Sequence, residues 1–236
     1  MDTIGVCSSR GHLVRLAVAV LSLLILPAAL SAHTWAPPLE FSPPTPGTYT
    51  LPIVKPSTDG EVIDATGAAR RLFDHMDGKI VLLSFIYTRC SDARGCPLAT
   101  AVLHAVEEAL HDDKALAQEV RLLSLSFDPA HDTPEVLQHY ANVHAGMGRS
   151  ETRAPLWHPL TTASPQALQP ILDGYGQYVL PILDAHHGFT GTYAHVLKVF
   201  LIDRQRQVRN IYSVDFLHPE VLINDIKTLL MTEKKM

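Results

Sequence analysis

Cysteine is scarce in this chain of 236 residues: there are three, too few for a disulfide scaffold. Charged residues are sparse as well, 18% against 47% hydrophobic, which excludes disorder over most of the length, because disordered chains are apolar-poor and charge-rich. Basic excess is missing. Nineteen Lys and Arg face 24 Asp and Glu, a formal net charge of −5, so the electrostatic footprint of a nucleic-acid partner is absent. No internal repeat, no C-x-x-C pair and no oligomer signal is visible. Histidine, by contrast, is plentiful at 13 residues, which makes metal chemistry worth testing. The length suits one ordinary domain or two small ones.

The first 32 residues look like a targeting segment. Arg10 and Arg15 precede the apolar run Leu16 to Leu30, and Ala28, Ala29, Ser31 and Ala32 close it. Positive flank, apolar stretch and small exit residues describe a secretory signal, with cleavage expected after Ala32 and His33 as the new N-terminus. The alternative is an uncleaved anchor, although the run falls short of the ~20 apolar residues of a spanning helix. No Cys follows closely, so a lipoprotein is not indicated. Those 32 residues hold two arginines and one aspartate, leaving 17 basic against 23 acidic side chains. Cys7 leaves with them, and Cys90 and Cys96 remain as the only thiols. The expected location is the periplasm or another extracytoplasmic space, at the inner membrane if the anchor stays. Two thiols in such an oxidising compartment invite a disulfide, a redox couple or a soft-metal site.

Residues 33–56 are proline-rich and form a linker ending in an edge segment, Tyr49 to Val54; residues 57–236 form the domain. Gly67 to Gly78 is polar, a surface hairpin or loop with a short helix. Lys79 to Tyr87 is a continuous apolar run, expected as a strand buried on both faces. Pro97 then opens a helix whose stripe is Leu98, Val102, Ala105, Val106 and Ala109, placing Cys96 at or near its N-cap. Val120 to Phe127 is a second strand. Asp132-Thr133-Pro134-Glu135 caps a helix to about His144, with Asp128 and Asp132 expected as capping residues. Leu156 to Leu160, a helix from Pro165 to about Tyr175, a polar stretch from Gly176 to Thr192, strands Val196 to Ile202 and Val208 to Tyr212, and a helix from Pro219 to Leu230 complete the order. Strands alternating with helices, then a hairpin and a last helix, give an α/β fold: a central mixed sheet with helices on both faces. Two cysteines between the first buried strand and its helix are the thioredoxin-like arrangement.

Cys96 at a helix N-terminus meets unpaired N–H groups that favour thiolate. Two thiolates select soft ions, Cu(I) above all, with zinc as competitor. A third donor must come from elsewhere. His195 precedes the Val196–Ile202 strand, and if that strand lies beside the Cys-bearing one, His195 comes near the cysteine loop.

Tyr87-Thr88-Arg89-Cys90, Cys96-Pro97, Ser126-Phe127-Asp128-Pro129 with Asp132-Thr133-Pro134-Glu135, and His195 before a Val-Phe-Leu-Ile-Asp strand together resemble the Sco/SenC copper-chaperone family, over roughly Tyr49 to Leu230. The resemblance implies a thioredoxin-like domain that binds copper through Cys90, Cys96 and His195; the expected state is Cu(I), with Cu(II) as a further one. It implies a copper-accepting partner, such as cytochrome c oxidase subunit II or another exported cuproenzyme, and a thiol reductant. Two departures stand out. The family spaces its cysteines C-x-x-x-C-P, whereas five residues separate Cys90 from Cys96. The family commonly carries Asp before the His, whereas this chain has Ala194; Asp92 in the enlarged loop is the candidate substitute.

Bland readings stand beside these. The Cys pair could close a small structural loop. His186 and His187 read as solvated loop residues, and His104 and His111 as exposed on one helix face. The leading function is a copper chaperone rather than an enzyme. The second is a thiol–disulfide oxidoreductase in which Cys90 and Cys96 are the catalytic pair. The third is a peroxide-reducing enzyme with Arg89 or Arg94 activating a cysteine.

Overall fold

The computed structural model describes residues 38–145 and 156–233. The expected leader, its cleavage point and His33 lie outside the described residues. In chain order the elements are β1 (Lys55–Pro56), β2 (Glu61–Asp64), β3 (Ala69–Arg71), α1 (Leu72–Met76), β4 (Ile80–Ile86), α2 (Cys96–Asp112), α3 (Lys114–Ala117), β5 (Val120–Ser126), α4 (Pro134–Ala145), β6 (Trp157–Thr161), α5 (Pro165–Tyr175), β7 (Val179–Leu183), β8 (Phe189–His195), β9 (Val199–Ile202), β10 (Gln207–Tyr212) and α6 (Pro219–Glu233).

The apolar run of β4 explains its place. All seven residues are buried, and period-2 alternation sends them to two different cores. Ile80 and Leu82 pack with Val102, Leu103 and Val106 of α2 and with Leu222 and Ile226 of α6. Val81, Leu83 and Phe85 pack on the other face with Leu72 of α1 and with Ile171 and Tyr175 of α5. A strand that must satisfy two apolar layers has no polar side to offer, so β4 takes a central position. Its neighbours are β5, parallel and in register from Ile80↔Val120 to Ile86↔Ser126, and β9, antiparallel. The sheet runs β1-β10-β9-β4-β5-β6-β2-β3. The expected mixed sheet with helices on both faces, and the juxtaposition of β9 with β4, are what the chain forms.

Several local expectations are corrected. The edge segment expected over Tyr49 to Val54 forms its ladder only at Lys55–Pro56, after Val54 N–H has donated to the Val208 carbonyl (2.8 Å). Pro52 and Pro56 lack the donors that a longer strand requires. At the opposite edge, β3 carries Arg70 and Arg71, both exposed. The buried stripe of α2 is Leu98, Ala99, Val102, Leu103, Val106 and Leu110, so Leu98, Val102 and Val106 are buried as expected, whereas Ala105 is half-buried and Ala109 exposed. The His111 side chain, expected in solvent, is only 8% exposed and its Nε2 lies 3.9 Å from Glu107 Oε1.

The largest difference is at Gly176 to Thr192. Gly176, at φ 65°, ends α5 in the left-handed region where glycine is favoured. The chain then forms a separate two-stranded sheet, β7 with β8, rather than a loop. No backbone ladder joins this hairpin to the eight-stranded sheet. Its residues Leu180, Ile182, Leu183 and Phe189 are exposed, as are flanking Tyr178 (78%) and Val196. Among the described residues no helix is long and apolar enough to cross a membrane.

Candidate metal centre

The cysteine loop starts where β4 leaves its two cores. A turn closes from Cys90 N–H to the Tyr87 carbonyl (3.2 Å), bringing Cys90 back over the strand end. The five intervening residues fold on Asp92: its carboxylate accepts from Arg94 N–H (3.0 Å) and its carbonyl from Gly95 N–H (2.8 Å). Gly95 is the N-cap of α2, so Cys96 is the first helical residue. A Cβ at Gly95 would stand 3.3 Å from Cys90 Sγ, so the bare backbone lets the two sulfurs converge. Asp92, the candidate substitute for a carboxylate beside the histidine, is engaged within its own loop.

His195 ends β8, and three residues separate it from β9, so it comes from the hairpin and not from the sheet. Its Nε2 lies 3.6 Å from Cys96 Sγ, and its Nδ1 lies 3.1 Å from the Tyr193 carbonyl. A carbonyl can only accept, so Nδ1 carries the proton and Nε2 presents its lone pair to the sulfur. Tyr87 and Phe127 flank the imidazole, with ring centroids at 5.7 and 4.9 Å. Cys90, Cys96 and His195 place their ligand atoms within 4.8 Å of one another, the only such cluster among the described residues. The three residues expected from the sequence are therefore brought together. His186 and His187 sit at the exposed hairpin tip, away from that cluster.

Cys90 and Cys96 are free thiols, Cys90 half-buried and Cys96 only 3% exposed. Burial pushes the Cys96 thiol well above its ordinary value, and neighbouring Cys90 pushes the same way. The thiolate favoured by the helix N-terminus is thus overridden by desolvation. A soft cation arriving between two sulfurs and an imidazole would supply the missing charge compensation, and the donor set fits such an ion.

Asp128 and Asp132 were expected as helix caps and are not. The α4 cap is Thr133, whose hydroxyl accepts from Val136 N–H (3.4 Å). Asp132, fully buried, accepts from Thr88 N–H (3.0 Å), from the Thr88 hydroxyl (2.5 Å) and from the Ser126 hydroxyl (2.5 Å). Asp128, 1% exposed, accepts from Arg89 Nη2 (2.7 Å) and from the Tyr193 hydroxyl (3.0 Å). Burial first, and then Asp128, push the Tyr193 phenol up to about 12, which keeps its hydroxyl a donor. Arg94 pairs with exposed Asp215 at 3.4 Å. Arg89 and Arg94, the expected activators of a peroxide-reducing cysteine, are thus both paired with carboxylates.

The family model of SCO1/SenC matches residues 58–231, which is most of the chain. The chain belongs to the SCO1/SenC family. Among solved structures, apo Sco1 of Thermus thermophilus is 26% identical with a TM-score of 0.60, covering 78% of this chain and 95% of that one. ScoI of Arabidopsis thaliana with copper bound is 18% identical with a TM-score of 0.60, covering 75% and 98%. BsSco, described as a Sco-family cytochrome c oxidase assembly protein with a disulfide switch, is 23% identical with a TM-score of 0.56, covering 76% and 96%. No curated protein matches the chain. The thioredoxin-like fold of this SCO1/SenC domain is that of these structures. Its two departures now have a physical form: the longer cysteine loop is folded on Asp92, and the imidazole is oriented by a backbone carbonyl.

Proposed function

We propose that this SCO1/SenC protein carries copper as cargo outside the cytoplasm and delivers it to a copper-accepting protein. The observation that carries the reading is the convergence of Cys90, Cys96 and His195 within 4.8 Å, with Nε2 free to donate. Two thiolates and one imidazole are a soft, low-coordinate donor set suited to Cu(I); Cu(II) is a second state of the same cargo. Cys96 is buried and Cys90 half-buried, so a partner's thiolates would enter on the Cys90 side and exchange with the donors one at a time. Copper in the Arabidopsis structure and the assembly role described for BsSco support a cuproenzyme acceptor, cytochrome c oxidase subunit II or another exported copper protein. A thiol reductant would keep the pair reduced. The leader at residues 1–32 supports export to the periplasm or a similar space, with cleavage or anchoring as its two outcomes.

The test is an anaerobic Cu(I) titration of the reduced protein against a competing chelator. One tight equivalent is expected, abolished in Cys90→Ser and Cys96→Ser and weakened at least about 100-fold in His195→Ala, since loss of a ligand exceeds the 10–100-fold typical of outer partners. Equal affinity in His195→Ala would sink the three-donor site.

A second reading draws on the asymmetry of exposure. As an oxidoreductase, the half-buried Cys90 thiolate attacks a partner disulfide and Cys96 resolves the mixed disulfide. Two electrons and two protons then pass to the partner as Cys90 and Cys96 join. His195→Ala would leave that exchange intact while crippling copper retention, which separates the readings.

A further inference from the structure

The carboxylate expected beside His195 is absent, Ala194 stands there exposed, and Asp92 is engaged elsewhere. Yet the histidine arrives on a hairpin that shares no ladder with the main sheet. Something other than the sheet must fix the distance from imidazole to sulfurs. We propose that Asp128 is the positioning residue of the metal centre, a latch that holds the His195-bearing hairpin to the cysteine loop. The inference rests on the reading of Cys90, Cys96 and His195 as the ligands.

Asp128 is buried, and a buried carboxylate is tolerated only with strong partners. Its two oxygens have one partner on each rim of the site. Oδ2 takes Arg89, adjacent to Cys90; Oδ1 takes the hydroxyl of Tyr193, two residues before His195. These are charge-assisted bonds, stronger and more directional than neutral ones. The same Tyr193 offers its carbonyl to His195 Nδ1, so where the phenol is tethered sets where the imidazole points. The latch is itself held. Asp128 N–H donates to Ser126 Oγ (3.0 Å), the Ser126 hydroxyl donates to Asp132, and Asp132 takes both the N–H and the hydroxyl of Thr88. One loop after β5 thus grips two successive residues of the cysteine loop and one residue of the hairpin. At the hairpin base, Gln177 Nε2 donates to the Val196 carbonyl (2.9 Å) and Lys198 Nζ to the Gly176 carbonyl (2.7 Å), but neither bond reaches the cysteine loop. Asp128 therefore does from across the fold what an acidic neighbour of the histidine would do locally.

The decisive variant is Tyr193→Phe, which keeps the ring against Tyr87, Phe127 and Phe189 and deletes only the tether. Reduced full-length protein is titrated with Cu(I) against a chelator, in the wild-type and His195→Ala backgrounds. Tyr193→Phe is expected to weaken binding about tenfold in the first and to change nothing further in the second, because the tether acts through the imidazole. Unchanged affinity, or an equal loss in both backgrounds, would overturn the proposal. Asp128→Asn is the companion; Arg89→Gln should weaken copper in both backgrounds, since it acts on the Cys90 rim. A metal-free arm follows backbone amide exchange. In Tyr193→Phe the amides of Phe189 to His195 should exchange about tenfold faster while those of β4 and β5 stay unchanged, and no change in the hairpin counts against the latch. If the wild type binds no Cu(I) yet the hairpin amides respond, the copper reading fails and the latch stands. If copper binds and neither arm responds, the latch fails alone.

Discussion

The two halves of the metal centre are held in different ways. Cys90 and Cys96 hang between β4 and α2, elements whose side chains are buried in two cores, and the bonds fixing β4 are backbone ladders on both sides. His195 sits on a hairpin with exposed apolar residues, fixed by side-chain bonds and ring contacts. The thiolate side is set by the global fold, whereas the imidazole side is set by a handful of local interactions. A ligand held that way can be released without unfolding the protein, which suits the proposed handover of copper to a partner.

The sharpest way to break the contrast is to injure the sheet. Phe85 is buried between Tyr175 and Phe200, with centroids at 5.4 and 5.8 Å. Phe85→Ala should cost about 3–5 kcal/mol in denaturant unfolding and remove hairpin and cysteine loop together. Acid should weaken the same region. Burial, and then the charges of Arg121 and His75, lower His158 on β6 to about 4 from an ordinary 6.5. Protonation therefore favours the unfolded chain. This contribution is whole above pH 6.5 and is lost as pH falls through 4, on the order of 3 kcal/mol. A stability profile that is flat across this window in wild type, or equally steep in His158→Leu, would contradict the assignment.

Smaller effects should fall on the site alone. Gly95→Ala sets a methyl against Cys90 Sγ and should weaken Cu(I) by about tenfold, roughly 1.4 kcal/mol, with little change in melting temperature. The smallest is Leu180→Ala on the exposed hairpin, expected to shift stability by less than about 0.5 kcal/mol. A loss at Leu180 as large as that at Phe85 would show the hairpin to be structural core.

What was legible in the sequence follows the same division. The β4 and β5 runs announce themselves because both faces of each strand are apolar. The cysteines could be placed because a strand and a proline-opened helix bracket them; β9 beside β4 brings His195 to the right end of the sheet, but the residue itself belongs to the hairpin. The hairpin was not legible: β7 is exposed along most of its length, and the half-buried face of β8 is Gly191, Tyr193 and His195, which is no apolar alternation. Asp128 and Asp132 were misread as caps because a cap is a local pattern, while their actual partners Arg89, Tyr193 and Thr88 lie 39 to 65 residues away. The orienting group of His195 is a carbonyl, which every residue possesses, so no side chain could signal it.

The sheet ends in β1, two residues long and containing Pro56, and in β3, with Arg70 and Arg71 both exposed. An unpaired strand edge invites a foreign strand to add to it, and proline, brevity and positive charge each discourage that. Crowded copies of this protein would find no template at either rim of the large sheet. Self-association under stress would start instead at the two-stranded hairpin, where Leu180, Leu183 and Phe189 stand exposed on the arm that carries His195.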